Sequence, residues 1–121
     1  MENRYLCRGK RIDNGEWVYG MPTCREDGEI GAIEYWDKEN DYTICAINPS
    51  TVCQCTGYEG IYEKDITRYD YEEYVIKWSD DSLSWEATSL ETDVSVPLGE
   101  LNPDYMVVIG NEIDNPELLE V

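Results

Sequence analysis

The sequence predicts a mainly β fold: a small antiparallel barrel or sandwich, SH3-like or related, with long loops and a short C-terminal helical turn. Two observations carry this. Short runs rich in β-branched and aromatic residues alternate with turn signals along the chain. Helix signals are scarce, the one good candidate being Asn115-Pro116-Glu117-Leu118-Leu119-Glu120. There Asn can cap, Pro occupies the first helical position and Glu lies at the positive end of the dipole.

In chain order the candidate strands are Tyr5 to Arg8, Trp17 to Met21, Ile30 to Trp36, Thr43 to Ile47 and Thr51 to Cys55, then Asp65 to Tyr69, Tyr74 to Trp78, Ser84 to Ala87 and Tyr105 to Ile109. Asp13-Asn14-Gly15, Glu26-Asp27-Gly28 and Ser79-Asp80-Asp81-Ser82 separate them as turns. Gly and Asn tolerate positive φ, and Asp and Ser bond the local backbone. Tyr74, Ile76 and Trp78 alternate with Val75 and Lys77, a strand buried on one face and partly covered on the other. Residues 88–104 hold two prolines and many polar groups and read as a long excursion, with one short helix around Gly99 to Leu101.

A length of 121 residues suits one domain. Within it, residues 1–50 are expected to form an N-terminal β part and residues 51–121 a compact barrel. Ten Tyr and four Trp with no Phe give rings with polar tips, which suit half-buried sheet faces and binding surfaces. Trp17 and Trp78, each inside a strand pattern, are expected to anchor the core.

Net charge is −18, unevenly spread: residues 1–25 carry +2 and residues 26–121 carry −20. No Lys or Arg follows Lys77, whereas the last 44 residues contain eleven acids. Such a surface repels nucleic acid at every phosphate it would have to neutralise and favours basic partners instead. Solubility alone also accounts for acidity. Asp80, Asp81 and Glu86, in the base-free stretch, are the candidate binding residues.

Cys7, Cys24, Cys45, Cys53 and Cys55 are odd in number, the opening MENRYLCRGK lacks the apolar run of a secretion signal, and no stretch is long enough to span a bilayer. The expectation is a cytoplasmic protein with reduced thiols. Cys53 and Cys55 form C-x-C, not the C-x-x-C of a zinc or redox site, and no His completes a mixed metal site. Asp37-Lys38-Glu39-Asn40-Asp41 offers oxygens at alternate positions but lacks the following Gly and distal Glu of a calcium loop. No metal or cofactor is expected. Without His the commonest general base is missing, and no phosphate-loop, dinucleotide or nucleophile-elbow motif occurs. The chain is therefore read as a binding protein and not an enzyme.

Three ordered segments carry a family resemblance. The first runs from Arg8 to Gly20. The second comprises Ile47-Asn48-Pro49-Ser50-Thr51-Val52, Gln54, Thr56-Gly57 and Ile61-Tyr62-Glu63-Lys64-Asp65-Ile66. The third is Val108-Ile109-Gly110-Asn111 through Asn115-Pro116-Glu117-Leu118-Leu119. On these the chain resembles the YopX family of phage and prophage proteins, over nearly its whole length. The family usually has a longer polar loop where only Tyr58-Glu59-Gly60 stands here, and a Gly where this chain has Lys64.

The resemblance implies a small β-rich protein of a mobile element, with no general activity attached. Its motif residues Thr51, Gln54, Thr56, Gly57, Tyr62, Glu63, Asp65, Gly110, Asn111, Asn115 and Pro116 read as fold-defining: Gly where a side chain would obstruct, Asp and Asn bonding turn amides, Asn-Pro opening a helical turn. Charge and context together point to an accessory protein whose acidic face engages a basic surface of a host protein, as nucleic-acid mimics do. Two readings of other classes stand beside it: a small-molecule-binding or sequestering protein with an aromatic pocket, and a self-associating structural subunit.

Overall fold

The computed structural model describes residues 7–36, 39, 41–58 and 60–119. The chain divides into two compact units, Met1–Glu59 and Gly60–Val121, each built on a five-stranded antiparallel sheet. No α-helix occurs among the described residues.

The first unit contains β1 (Cys7–Lys10), β2 (Trp17–Cys24), β3 (Ile30–Trp36), β4 (Tyr42–Ala46) and β5 (Cys53–Gln54), in the order β4-β3-β2-β1-β5. The β1–β2 connection turns because Gly15 takes φ +72° and the Asn14 side chain accepts the Glu16 amide at 2.9 Å. Arg11 pairs with Asp13 across the same exposed turn at 2.7 Å; its guanidinium holds the Asp13 carboxyl below its ordinary range. The β2–β3 turn repeats this chemistry, with Gly28 at φ +88° and Asp27 accepting the Glu29 amide at 2.9 Å.

Alternation then sorts the faces. Cys7, Val18, Ile33 and Ile47 form the core, with Ile30, Tyr35 and Val52 packed against them. Gly20 stands opposite Cys7, and a Cβ there would lie 2.2 Å from the Glu34 carbonyl oxygen, so no side chain fits. Trp17, expected as a core anchor, is half-buried, and its ring lies 4.6 Å from the Arg8 guanidinium and 5.4 Å from the Lys10 ammonium.

The second unit contains β6 (Asp65–Tyr69), β7 (Glu72–Ser79), β8 (Ser84–Ser89), β9 (Ser95–Pro97) and β10 (Val107–Asn111), in the order β10-β6-β7-β8-β9. Its core is Ile61, Ile76, Ala87 and Leu98, with Trp85, Val96 and Leu101 among the residues against it. Asp70 and Tyr71 both have positive φ, the requirement of a two-residue hairpin loop whose twist matches its strands.

Several expectations change. The barrel is replaced by two sheets: a single bridge, Arg11 with Ile47, curls the first sheet without closing it, and the β5 segment pairs with β1. The β5 segment thus belongs to the compact unit Met1–Glu59. Tyr5, Leu6 and Glu59 lie outside the described residues. Thr51 ends a 3-10 turn, Pro49–Thr51, because Asn48 accepts the Ser50 amide at 3.1 Å and so caps the turn. Residues 95–97, expected within a loop, form β9 against β8; Pro97 is tolerated on this edge strand, where a missing N–H leaves no ladder partner unsatisfied. Pro103–Tyr105 is a 3-10 turn, so the final strand starts at Val107 and not Tyr105.

Trp78 is the clearest correction. Ile76 and its partner Ala87 are fully buried, but Trp78 is 44% exposed. It lies two residues nearer the hairpin turn, beyond the core residues, and packs edge-on against Trp85 at 5.2 Å.

Candidate functional site: an acidic depression in the second unit

Residues 60–121 hold three bases and sixteen acids, against six and eleven in residues 1–59, so the charge imbalance belongs mainly to the second unit. On that unit an open depression of about 610 Å³ is lined by Lys77, Trp78 and Ser79 of β7, Asp80 and Asp81 of the following turn, Glu86 and Thr88 of β8, Asp93, and Ser95 of β9. The three acids singled out from sequence, Asp80, Asp81 and Glu86, therefore share one concavity.

Register explains the convergence. Lys77 stands opposite Glu86, and Thr88 opposite Ser95, with the two hydroxyls 2.8 Å apart. These residues line one face of the sheet because side chains at directly paired positions point the same way. The turn closes the end: the Trp78 indole N–H donates to Asp80 Oδ1 at 3.1 Å, and Ser82 Oγ lies 3.4 Å from Glu86 Oε2. Leu83 and Asp93 take positive φ, +54° and +60°. The Ser89 amide reaches the Val94 carbonyl at 2.9 Å, which turns β8 back into β9 and brings Asp93 to the rim.

Four carboxylates and one ammonium thus line a surface with a half-exposed indole beside it. Asp93 was not among the sequence candidates. Its membership depends on β9, whose signal, Val94-Ser95-Val96-Pro97, is short and ends in proline.

A second open depression, about 620 Å³, lies on the first unit between Arg25, Gly28, Glu29, Ile30 and the Asn48–Ser50 turn. Arg25 is held there by Asp27 and Glu29 at 2.7 and 3.0 Å. Among the described residues, Trp78 is the one aromatic residue lining either depression. No group of three or more His, Cys, Asp or Glu side chains able to hold a metal occurs among the described residues; Asp37, Lys38 and Asn40 of the oxygen-rich loop lie outside them. Among the described residues no helix is long and apolar enough to cross a membrane.

A model of the YopX protein family matches residues 8–120. The chain belongs to the YopX family. No curated protein matches it.

None of the YopX motif residues lines the acidic depression; their contacts are mainly with backbone groups. Thr51 Oγ1 accepts the Lys10 amide at 2.8 Å and donates to the Asn48 carbonyl at 2.6 Å. Gln54 is exposed and pairs with Cys7. Thr56 Oγ1 accepts the Tyr58 amide at 3.2 Å, and Gly57 has φ +93°.

Asp65, fully buried, accepts the Tyr62 amide at 2.8 Å. The Asp65 amide returns to the Tyr62 carbonyl at 3.1 Å, closing a turn over Glu63 and Lys64. Lys64, at the position the family resemblance gives to Gly, keeps the left-handed backbone at φ +71°. Buried Asn111 accepts the Ile113 and Asp114 amides at 3.0 and 2.8 Å. Asn115 sends its side chain back to the Asn111 amide at 3.2 Å instead of forward into the 3-10 turn Pro116–Leu119. Its main-chain carbonyl accepts the Leu118 amide at 3.0 Å.

Proposed function

We propose that this YopX-family protein is a phage or prophage accessory protein of the host cytoplasm that binds a basic surface of a host protein through the acidic depression of its second unit. The observation carrying this reading is the gathering of Asp80, Asp81, Glu86 and Asp93, with exposed Trp78, in one concavity. Lysine and arginine pair with carboxylates, and arginine also stacks on an indole. A protein competing with nucleic acid for such a partner presents carboxylates in place of phosphates. Catalysis has no part in this reading.

The test replaces Asp80, Asp81 and Glu86 with Asn, Asn and Gln. Glu26, Asp27 and Glu29 replaced with Gln, Asn and Gln provide a control of equal net charge; it removes exposed Arg25 pairs, which solvent screens. Both variants and the parent are used to capture host proteins at low and physiological salt, with circular dichroism verifying the fold. Weaker, salt-sensitive capture of the same protein by the first variant alone is expected. Equal losses would reduce the effect to general attraction, and no loss from either would return the acidity to solubility.

A further inference from the structure

A different surface, on the first unit, carries an inference independent of the acidic depression. The outer face of the first sheet leaves large apolar side chains exposed: Tyr19 and Met21 on β2, Trp36 on β3, and Tyr42 and Ile44 on β4. The register places Met21 and Ile44 either side of Glu34, and Trp36 against Tyr42. The Trp36 and Tyr42 rings meet edge-on at 5.5 Å, and the Tyr42 hydroxyl donates to Glu34.

β4 is an edge strand, and its hydrogen bonds show which backbone groups face outward. The Ile47 amide bonds the Gly31 carbonyl at 3.1 Å. By antiparallel alternation Thr43 and Cys45 also face β3, whereas Tyr42, Ile44 and Ala46 face away. The Ala46 carbonyl is taken by the Ile12 amide at 3.2 Å, and the Asn48 amide by the Lys10 carbonyl at 2.8 Å. At Asp13 the β1–β2 turn carries that neighbouring segment away. Its track continues along Tyr42 and Ile44, whose outward amides and carbonyls have no backbone partner among the described residues.

β4 itself, Tyr-Thr-Ile-Cys-Ala, carries no charge or proline that would guard an edge. Among the described residues, the acids nearby are Glu34 on the apolar face and Glu39 and Asp41 before the strand, while Arg11 at the far end is engaged by Asp13. An incoming strand with lysine or arginine among its apolar residues meets complementary charge. A second copy brings another net charge of −18 and duplicates Glu34 and Asp41 at the contact.

We propose that the open edge of β4 at Tyr42–Ile44, beside Trp36, Met21 and Glu34, accepts an extended segment of a partner protein in which apolar and basic residues alternate, adding a strand in line with Arg11–Ile12. Main-chain bonds give this mode its affinity, and side chains on the exposed face give it selectivity.

The experiment uses the full chain, isotopically labelled for NMR, with a short synthetic peptide of alternating lysine and valine. A peptide of equal charge with prolines for the valines serves as control, since it cannot form a ladder. The first peptide is expected to shift the resonances of residues 42–44 and slow amide exchange at Tyr42 and Ile44, and the control to do neither. Ile44→Pro removes an outward amide but leaves the β3 ladder intact; it is expected to weaken binding roughly tenfold. Ile44→Ser, at an exposed position, tests the apolar contact if the proline variant does not fold. Equal binding of both peptides, absence of protection at Ile44, or shifts confined to residues 77–95 would each overturn the proposal. So would a peptide-free dimer that Ile44→Pro dissociates, which would make a second copy the occupant.

Discussion

Gly110 and Asn115 are fitted to each other: a Cβ on Gly110 would lie 2.6 Å from the Asn115 side-chain oxygen, and that oxygen accepts the Asn111 amide at 3.2 Å. Adding a methyl group therefore pushes on backbone-bonded oxygen and on Leu118 Cδ1, 3.1 Å away. Gly110→Ala is expected to destabilise the second unit by about 1–3 kcal/mol. Urea unfolding measures it, and an unchanged midpoint would show that the Asn115 side chain moves freely aside.

Lys64 gives the opposite expectation. At φ +71° a non-glycine residue pays a left-handed penalty, while its amide and carbonyl remain bonded to Ile76 O and Glu112 N, both at 2.9 Å. Lys64→Gly relieves about 1–2 kcal/mol of strain and returns part of it as unfolded-chain entropy, for a net gain of about 0.5–1 kcal/mol. Thermal unfolding is expected to move upward; a lower melting temperature would place a larger stabilising role on the lysine side chain.

Trp78 and Ile76 separate binding surface from core on one strand. Ile76→Ala empties a fully buried site and is expected to cost about 2–5 kcal/mol. Trp78→Ala loses a half-exposed ring and its edge contact with Trp85, about 1–2 kcal/mol. If the tryptophan variant proved the less stable of the two, the ring would have to be counted as core.

The thiols give a pH and reactivity prediction. No disulfide joins the five cysteines, and Cys24 alone is exposed. A water-soluble thiol reagent at neutral pH is expected to label Cys24 rapidly and the other four only on unfolding. Burial, with Cys53 nearby, pushes the Cys7 thiol from 9.0 up to about 11. Between those values the folded chain retains a proton that the unfolded chain has released. Cys7 therefore contributes a fall in stability as pH rises from 9 to 11 and no slope below that range. Cys7→Ala is expected to flatten this part of the stability profile, and an identical slope in the variant would remove Cys7 as its source.

Local chemistry was enough to determine the β class, the limits of Ile30–Trp36 and Asp65–Tyr69, the Asn14-Gly15 and Asp27-Gly28 turns, and the concentration of acid after Lys77. Each follows from side-chain branching, tolerance of positive φ or simple counting, all of which act within a few residues. Tertiary structure decided the rest. Alternation in Tyr74–Trp78 showed two faces, but the core ends at Ile76 and Ala87, so Trp78 is left outside it. Pairing of β5 with β1 separated two sheets where one barrel was expected, and β9 brought Asp93 beside Asp80, Asp81 and Glu86. The open edge at Ile44 exists because Ile12 bonds Ala46 and the chain then turns away at Asp13. Such pairings join residues tens of positions apart, and period-2 patterning specifies which residues share a face without specifying the strand or surface that will meet them.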